Sequence, residues 1–223
     1  MSKHLRRDLE NLSKQLLEVG TLVEDAVNKA ITALTERRPE LVAEVVASDD
    51  VIDEREVAIE EECLKILALH QPVARDLRFV VGAMKVNNDL ERMGDQAVNI
   101  AERAAYLAEQ PPLGVPLDFN RMADAVRAMV RSSLDAHVNE DTELARAIGK
   151  MDDEVDDVHR EMFAVLQERM RQDENTVERA VAYLSASRDL ERVADLATNI
   201  AEDVVFMVEG VVIRHRGGEQ ART

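Results

Sequence analysis

The sequence predicts an all-α fold of two tandem three-helix bundles. Apolar residues recur at helical spacing along nearly the whole chain, whereas alternating strand patterns are absent. One polar block also occurs twice: residues 89–102 read DLERMGDQAVNIAE and residues 189–202 read DLERVADLATNIAE, with 10 of 14 positions identical. An internal duplication of this kind predicts two copies of one unit, and hence six long antiparallel helices.

The first three helices follow from an apolar stripe and two prolines. Between Leu5 and Ala33, apolar residues alternate at steps of four and three, which is typical of one face of a long helix. Pro39 and Pro72 each suit the first turn of a helix, where the missing N–H costs nothing. A second helix is therefore predicted to reach about residue 70 and a third about residue 109.

The second half repeats this scheme. Asp118 suits the N-cap of a fourth helix that ends near Asn139. A fifth helix is predicted from about residue 141 to 172, and a sixth from about residue 173 to 213.

A break separates the halves. Residues 110–118 (QPPLGVPLD) contain three prolines and a glycine, which predicts a linker. The predicted boundaries are a first repeat at 1–110, a linker at 111–117, a second repeat at 118–213 and a flexible tail at 214–223.

The two halves also align outside the shared block. Residues 33–54 lie over residues 136–157 at an offset of 103, whereas the shared block has an offset of 100. The three-residue difference is predicted to fall in a loop between about residues 57 and 88.

Composition excludes several classes of function. With 46% hydrophobic and 33% charged residues, the 223-residue chain is typical of folded globular proteins. Its net charge of −17 repels nucleic acid and anionic bilayers, and no run approaches the roughly 18 apolar residues of a membrane span. The single cysteine predicts no internal disulfide, and the N-terminus lacks the apolar stretch of a secretory signal. We expect a cytoplasmic protein that binds no nucleic acid.

The duplicated block places two acids on one helical face in each repeat. Glu91 and Asp95 are four residues apart, as are Glu191 and Asp195. A bound cation would offset their repulsion, and carboxylate oxygens suit Mg²⁺, Ca²⁺, Mn²⁺ or iron, whereas zinc more often recruits Cys or His. These four residues are therefore candidate metal ligands. The alternative is that the arginine within each pair neutralises the acids as part of an ordinary solvated surface.

Four further residues are weaker candidates for the same sites. Asn99 and Asn199 continue the acidic face of their helices. Asp53 and Asp156 belong to acidic runs that are more typical of solvated faces.

No catalytic constellation stands out in the sequence. A ferritin-like di-metal oxidase needs a Glu-x-x-His motif from each of two helices, whereas this chain offers only Asp156-x-x-His159, without a counterpart in the first half. A Gly-rich phosphate cradle is missing as well. We therefore expect a non-enzymatic interaction protein whose partners are other proteins.

The end of the predicted sixth helix is a candidate docking segment. Residues 204–213 (VVFMVEGVVI) are interrupted by a single acid and are too apolar all round for a solvated helix end. Val204, Phe206 and Val212 are candidate partner-binding residues. Packing of this helix against its own bundle is the alternative, and the pattern favours it slightly.

Three stretches closely resemble the PhoU family of bacterial phosphate-signalling regulators: residues 87–102 (NNDLERMGDQAVNIAE), residues 187–203 (SRDLERVADLATNIAED) and residues 74–85 (ARDLRFVVGAMK). The resemblance covers almost the whole chain. It implies tandem three-helix bundles that bind multinuclear metal clusters through Glu-x-x-x-Asp motifs, here Glu91 with Asp95 and Glu191 with Asp195. Residues 175–179 (NTVER) depart from the ARDLR pattern, so the halves are expected to make different contacts.

The same resemblance implies a negative regulator of phosphate uptake and of the phosphate-starvation response. Its partners would be the ATPase of a phosphate ABC transporter and the cytoplasmic domain of a sensor histidine kinase. The expected cofactor is a metal ion, either iron, manganese, magnesium or zinc, whose identity the sequence leaves open, as it does the formation of a homodimer. The alternatives are an accessory to a low-affinity phosphate transporter and a purely structural helical scaffold, neither of which needs the metal.

Overall fold

The computed structural model describes residues 3–213, and within that range it contains six α-helices, two short 3-10 turns and no strand. The α-helices are α1 (Lys3–Thr35), α2 (Val42–His70), α3 (Ala74–Glu109), α4 (Phe119–Asn139), α5 (Thr142–Gln172) and α6 (Val177–Glu209); the 3-10 turns are Pro39–Leu41 and Glu174–Thr176. The all-α prediction is confirmed. The predicted flexible tail at 214–223 lies outside the described residues.

The apolar stripe of α1 is the face that this helix buries. The helix contacts α2, α3 and α4, and Leu9 of the predicted stripe is half-buried. The other eight stripe residues are buried, as are some residues beside the stripe: Leu5, Leu12, Leu16, Val19, Val23, Ala26, Ala30 and Ala33. Full burial of a Leu or Val side chain contributes about 1.5–3 kcal/mol, so tertiary packing rather than helix propensity stabilises this long element.

Side-chain caps define the starts of α4 and α5, whereas α2, α3 and α6 begin without one. The side chain of Asp118 accepts a hydrogen bond from the backbone N–H of Arg121 at 3.2 Å, as expected of the predicted N-cap of α4. Pro39 lies in the 3-10 turn that leads into α2. Pro72, however, does not lie in the first turn of α3, because the helix begins two residues later at Ala74, after an extended residue.

The sixth helix is shorter than predicted at both ends. Asp173 caps a 3-10 turn, where its side chain accepts a hydrogen bond from Asn175 N at 3.1 Å, and α6 begins only after that turn. At the other end Gly210 adopts a left-handed φ of 75° and its N–H donates to the carbonyl oxygen of Phe206 at 2.9 Å. This glycine ends α6 at Glu209, because a left-handed residue stops the helical hydrogen-bond ladder.

The connection between α2 and α3 lies within the interval in which the offset between the halves changes. At the offset of 103 the last residue of α2, His70, corresponds to Asp173, and at the offset of 100 Ala74 corresponds to Glu174. If the offset changes at this junction, residues 71–73, which join α2 to α3, have no counterpart. The position of the difference stays a prediction, because the equivalent connection between α5 and α6, residues 173–176, is not shorter.

The two bundles share one core rather than standing apart. Helix α3 packs against α6, α1 packs against α4, and one cluster of buried apolar residues extends through both halves. Two ion pairs set the antiparallel register of α3 and α6: Arg103 Nε lies 2.6 Å from Asp189 Oδ2, and Lys85 Nζ lies 3.0 Å from Asp203 Oδ1. In the part of the chain described, no helix is long and apolar enough to cross a membrane.

Two glycines provide a matched test of the contact between α3 and α6. A Cβ at buried Gly82 would lie 2.2 Å from Met207 Cγ, whereas a Cβ at Gly149 on α5 would meet no atom within 4 Å. We expect Gly82→Ala to lower the stability by about 1–3 kcal/mol through overpacking, and Gly149→Ala to raise it by up to about 1 kcal/mol through helix propensity. Chemical denaturation of both variants measures this, and a neutral Gly82→Ala would contradict the close approach.

Candidate metal centres

Four acids of α2 and α3 lie near enough to repel one another, and we call them the first acidic cluster: Asp49, Asp53, Glu91 and Asp95. A Cβ at Gly94 would lie 3.0 Å from Asp49 Oδ1, which places that carboxylate against the turn of α3 that carries the Glu91–Asp95 pair. Burial, followed by the charges of Asp53 and Asp95, raises the pKa of Asp49 to about 6. Burial and then Asp95 and Asp53 also raise the pKa of Glu91. The predicted pair is therefore joined by a second pair from the neighbouring helix.

The second half repeats this arrangement in the second acidic cluster: Asp152 and Asp156 on α5 with Glu191 and Asp195 on α6. Burial, then the charges of Asp195 and Asp156, raise the pKa of Asp152 to about 6. Partial burial, then Glu191 and Asp156, raise the pKa of Asp195. Like charges thus concentrate at equivalent places in both repeats.

Buried polar contacts near each cluster link the helices that carry the acids. In the first half Asn87, which is buried on α3, donates from Nδ2 to the carbonyl oxygen of Glu56 on α2 at 2.9 Å. In the second half Nδ1 of His159 on α5 lies 2.9 Å from Oγ of Ser187 on α6. Each contact lies about one turn from the acids and fixes one helix against the other.

The structure brings the weaker aspartate candidates into the clusters. Asp53 and Asp156, which the sequence favoured as solvated faces, lie beside the motif acids. Asn99 lies one turn beyond Asp95 and is half-buried, and Asn199 lines a pocket between α3 and α6.

Sequence reasoning missed Asp49 and Asp152 as site residues. The signal was present, because Asp49-x-x-x-Asp53 and Asp152-x-x-x-Asp156 have the same four-residue spacing as the motif pairs.

The donor atoms of both clusters are carboxylate oxygens, which are of the type that hard cations prefer. Each offers carboxylate oxygens, and Oδ1 of Asp49 is buried without a hydrogen-bond partner among residues 3–213. Across that same range, no three Asp, Glu, His or Cys side chains stand together as a group that could hold one ion. Repulsion favours such separation, and Mg²⁺ is commonly held by one or two carboxylates with several waters. Ligation by three or more carboxylates would require side-chain rotation.

The arginines within the motifs pair with other acids. Arg92 Nη1 lies 3.5 Å from Asp89 Oδ1, and Arg192 Nη1 lies 3.6 Å from Asp189 Oδ1. These contacts run to the acid three residues earlier in the same helix. The acids of each cluster therefore keep their mutual repulsion, which adds to burial in raising the pKa of Asp49.

The proposed docking segment is divided between the interior and the surface. Val204 is 0% exposed, so it packs inside the bundle and is not a surface contact, as the alternative interpretation expected. Phe206 is half-buried, with Lys85 Nζ 4.9 Å from its ring centroid. Val212 lies beyond the end of α6 and is 56% exposed.

The raised pKa values predict a pH-dependent stability in metal-free protein. The pKa of Asp49 and of Asp152 is about 6, against an ordinary 3.8, so the folded state binds more protons than the unfolded state between these values. Stability from these groups is complete below about pH 4 and is lost as the pH rises through about 6. At about pH 7.5 we expect Asp49→Asn or Asp152→Asn to raise the stability by about 1 kcal/mol each, allowing for solvent screening.

Thermal melting in EDTA measures this gain, which should be about 2–4 °C for a chain of this size. The gain should disappear at about pH 4, because the aspartic acid of the folded parent is protonated there and is as neutral as the asparagine of the variant. An equal gain at both pH values would show that like-charge repulsion and desolvation are not its cause.

Comparison with known proteins gives matches to one family in both repeats. The sequence model of the PhoU domain matches residues 16–104 and 119–204, one match in each repeat. The phosphate-specific transport system accessory protein PhoU homolog of Aquifex aeolicus is 40% identical over 212 residues, covering 95% of this chain and 96% of that protein. The Pseudomonas putida protein of the same name is 38% identical over 219 residues, covering 97% of this chain and 85% of that protein.

Solved structures agree with the sequence comparison. The crystal structure of PhoU from Pseudomonas aeruginosa matches with a TM-score of 0.89 at 36% identity, covering 92% of this chain and 99% of that one. The phosphate transport system regulatory protein PhoU from Streptococcus pneumoniae matches with a TM-score of 0.83 at 28% identity, covering 94% of this chain and 99% of that one. Because sequence and fold both match through both repeats, the chain belongs to the PhoU domain family.

Proposed function

We propose that the chain is an accessory protein of a phosphate-specific transport system and acts as a cytoplasmic negative regulator of phosphate uptake and phosphate-starvation signalling. The observation that carries this proposal is the match, over 95% of the chain at 40% identity, to a relative whose name states the accessory role. In this role the chain is an adaptor without chemistry of its own. It contacts the ATPase of the phosphate ABC transporter and the cytoplasmic domain of a sensor histidine kinase.

Metal binding at the two acidic clusters is part of the proposal. The support is the duplicated geometry, in which two Asp/Glu-x-x-x-Asp pairs from neighbouring helices face each other in each half. The ion, either iron, manganese, magnesium or zinc, supplies positive charge that offsets the repulsion between the carboxylates. It would thereby join α2 to α3 and α5 to α6, and so stiffen the surface that partners meet.

The negative charge of this chain favours binding to basic patches on both partners. A net charge of −17 steers the chain towards positive surfaces, and such association weakens as salt screens the charges. We expect Kd for the kinase domain and for the ATPase to rise with ionic strength.

The test combines genetics with binding. Deleting the gene should leave phosphate-starvation genes switched on in phosphate-rich medium, and the parent gene in trans should repress them again. Pull-down at low and high salt should recover both the transporter ATPase and the kinase domain. If the protein binds neither at any salt concentration and its deletion leaves the starvation genes repressed, the proposed function is wrong. The deletion phenotype without binding to the ABC ATPase would instead favour an accessory role at a low-affinity phosphate transporter.

A further inference from the structure

A polar pocket of about 580 Å³ lies where α3 crosses α6. It is lined by residues of both repeats: Arg92, Gln96, Arg192, Asp195, Leu196, Thr198 and Asn199. Arg92 and Arg192 occupy equivalent positions of the two copies, and so do Gln96 and Leu196. The pocket therefore lies where the two repeats meet face to face, in the size range of sites for small molecules.

Two buried oxygens in this lining have no protein partner. Gln96 Oε1 and Thr198 Oγ1 are both inaccessible to solvent and make no hydrogen bond within residues 3–213. The equivalent residues of the opposite repeats are apolar, Leu196 and Val98. The helices therefore pack at these positions without polar groups. An unpartnered buried polar atom destabilises a fold. Because neither oxygen is accessible to solvent, a ligand in the pocket would hydrogen-bond to them once the side chains of Gln96 and Thr198 turn towards it.

The two arginines of the pocket are loosely held. Their contacts to Asp89 and Asp189, at 3.5 and 3.6 Å, are longer than direct hydrogen bonds. Asp189 also lies 2.6 Å from Arg103 Nε, which compensates its charge independently of Arg192. The side chains of Arg92 and Arg192 are 56% and 49% exposed, so both guanidinium groups can turn towards a ligand.

Charge decides the class of that ligand. Among the described residues that line the pocket, two carry guanidinium groups and one, Asp195, carries a carboxylate. Each guanidinium group also lies near an aspartate, Asp89 or Asp189, so a bound oxyanion would replace those long contacts. Guanidinium groups match the planar, bidentate geometry of carboxylate and phosphoryl oxygens.

We propose that this pocket binds a small molecule bearing an oxyanion, either a phosphoryl or a carboxylate group, clamped between Arg92 and Arg192. Gln96 and Thr198 hydrogen-bond to the remainder of the molecule. Because the clamp takes one arginine from each repeat, occupancy joins α3 to α6 and couples the two halves. The pocket shares Asp195 with the second acidic cluster, so binding is to be measured on metal-free protein.

Isothermal titration calorimetry in EDTA, with orthophosphate, pyrophosphate and succinate as probes, tests the proposal. At least one probe should bind the parent protein, and the phosphoryl and carboxylate probes together identify the ligand class. Arg92→Ala with Arg192→Ala should weaken that binding by about tenfold to hundredfold, since hydrogen bonds to charged groups are lost. The matched control is Arg171→Ala, which removes an arginine that is 65% exposed and lies outside the pocket.

A second variant separates ligand binding from folding. Gln96→Leu with Thr198→Val gives each repeat the residue type that the other already carries. We expect this variant to melt no lower than the parent, because two unpartnered buried atoms are removed, and yet to bind the probe several-fold more weakly. The proposal is overturned if no probe binds the parent more tightly than about 10 mM, or if the arginine pair and the Arg171 control weaken binding equally. Measurement in EDTA excludes metal bound at Asp195, which the pocket shares with the second acidic cluster, as the source of the signal.

Discussion

Converting the four motif acids to amides should abolish the stabilisation that metal gives to the parent protein. The variant carries Glu91→Gln, Asp95→Asn, Glu191→Gln and Asp195→Asn. An ion at about 100 times its Kd stabilises a folded protein by about 2.7 kcal/mol per site. With one site in each acidic cluster, and about 2–4 °C per kcal/mol for this size, we expect the parent to gain roughly 10–20 °C and the variant almost nothing. Thermal melting with and without Mn²⁺ after EDTA treatment, supported by elemental analysis, measures the effect.

A matched control removes four exposed acids elsewhere. Amide substitutions at Glu10, Asp124, Glu161 and Glu168, whose side chains are 70%, 82%, 67% and 57% exposed, change the net charge equally without touching either cluster. This control should keep the full metal-dependent shift. Equal metal content and equal shifts in the parent and in the motif variant would refute the metal sites.

Partial variants divide the site further. Changing only Glu91 and Asp95 should leave about half of the shift, because the second cluster is intact. If metal persists in the four-site variant until Asp53 and Asp156 are also changed, those residues hold the ion in addition to the motif acids.

A single charge in the shared core should have the second-largest effect. Val204 on α6 is 0% exposed, so Val204→Glu buries a carboxylate with no provision for pairing it. Such changes cost about 4 kcal/mol or more, which corresponds to a fall of about 8–16 °C in Tm. Val212→Glu is the matched comparison, because Val212 is 56% exposed and lies beyond the end of α6. We expect this second change to alter the stability by no more than about 0.5 kcal/mol.

Partner binding by the same two variants separates docking from packing at the end of the chain. If residues beyond Glu209 contact a partner, Val212→Glu should lose the pull-down of the kinase domain or the ATPase while its melting curve stays unchanged. A melting curve for Val204→Glu that matches the parent would contradict the burial of this residue.

The sequence predicted the helices because helix formation depends on local patterns of residues. The steps of four and three along α1 became its buried face, and Asp118 caps α4 as its side-chain chemistry suggests. The error at the end of α6 had a local sign as well. Gly210 is the residue that a left-handed C-cap favours, and the apolar residues beyond it hid this signal.

The acidic clusters were only half predictable from the sequence. The spacing of Glu91 and Asp95 placed two acids on one face, since residues four apart share a face of any helix. That Asp49 and Asp53 face the same pair depended on which side of α2 packs against α3, and an acidic run gives no such information. The acidic run that contains Asp49 and Asp53 is equally consistent with a solvated helix face.

The sequence by itself determined that the chain consists of two copies of a helical unit, each with a repeated acidic motif, because periodicity and identity are properties of the chain. The tertiary structure alone decided how the copies meet. The antiparallel crossing of α3 and α6 places Arg92 and Arg192, one hundred residues apart in the chain, in the lining of one pocket together with Gln96. Such contacts arise because burial of apolar faces is non-directional, so the register between two helices is set only when all their side chains pack together.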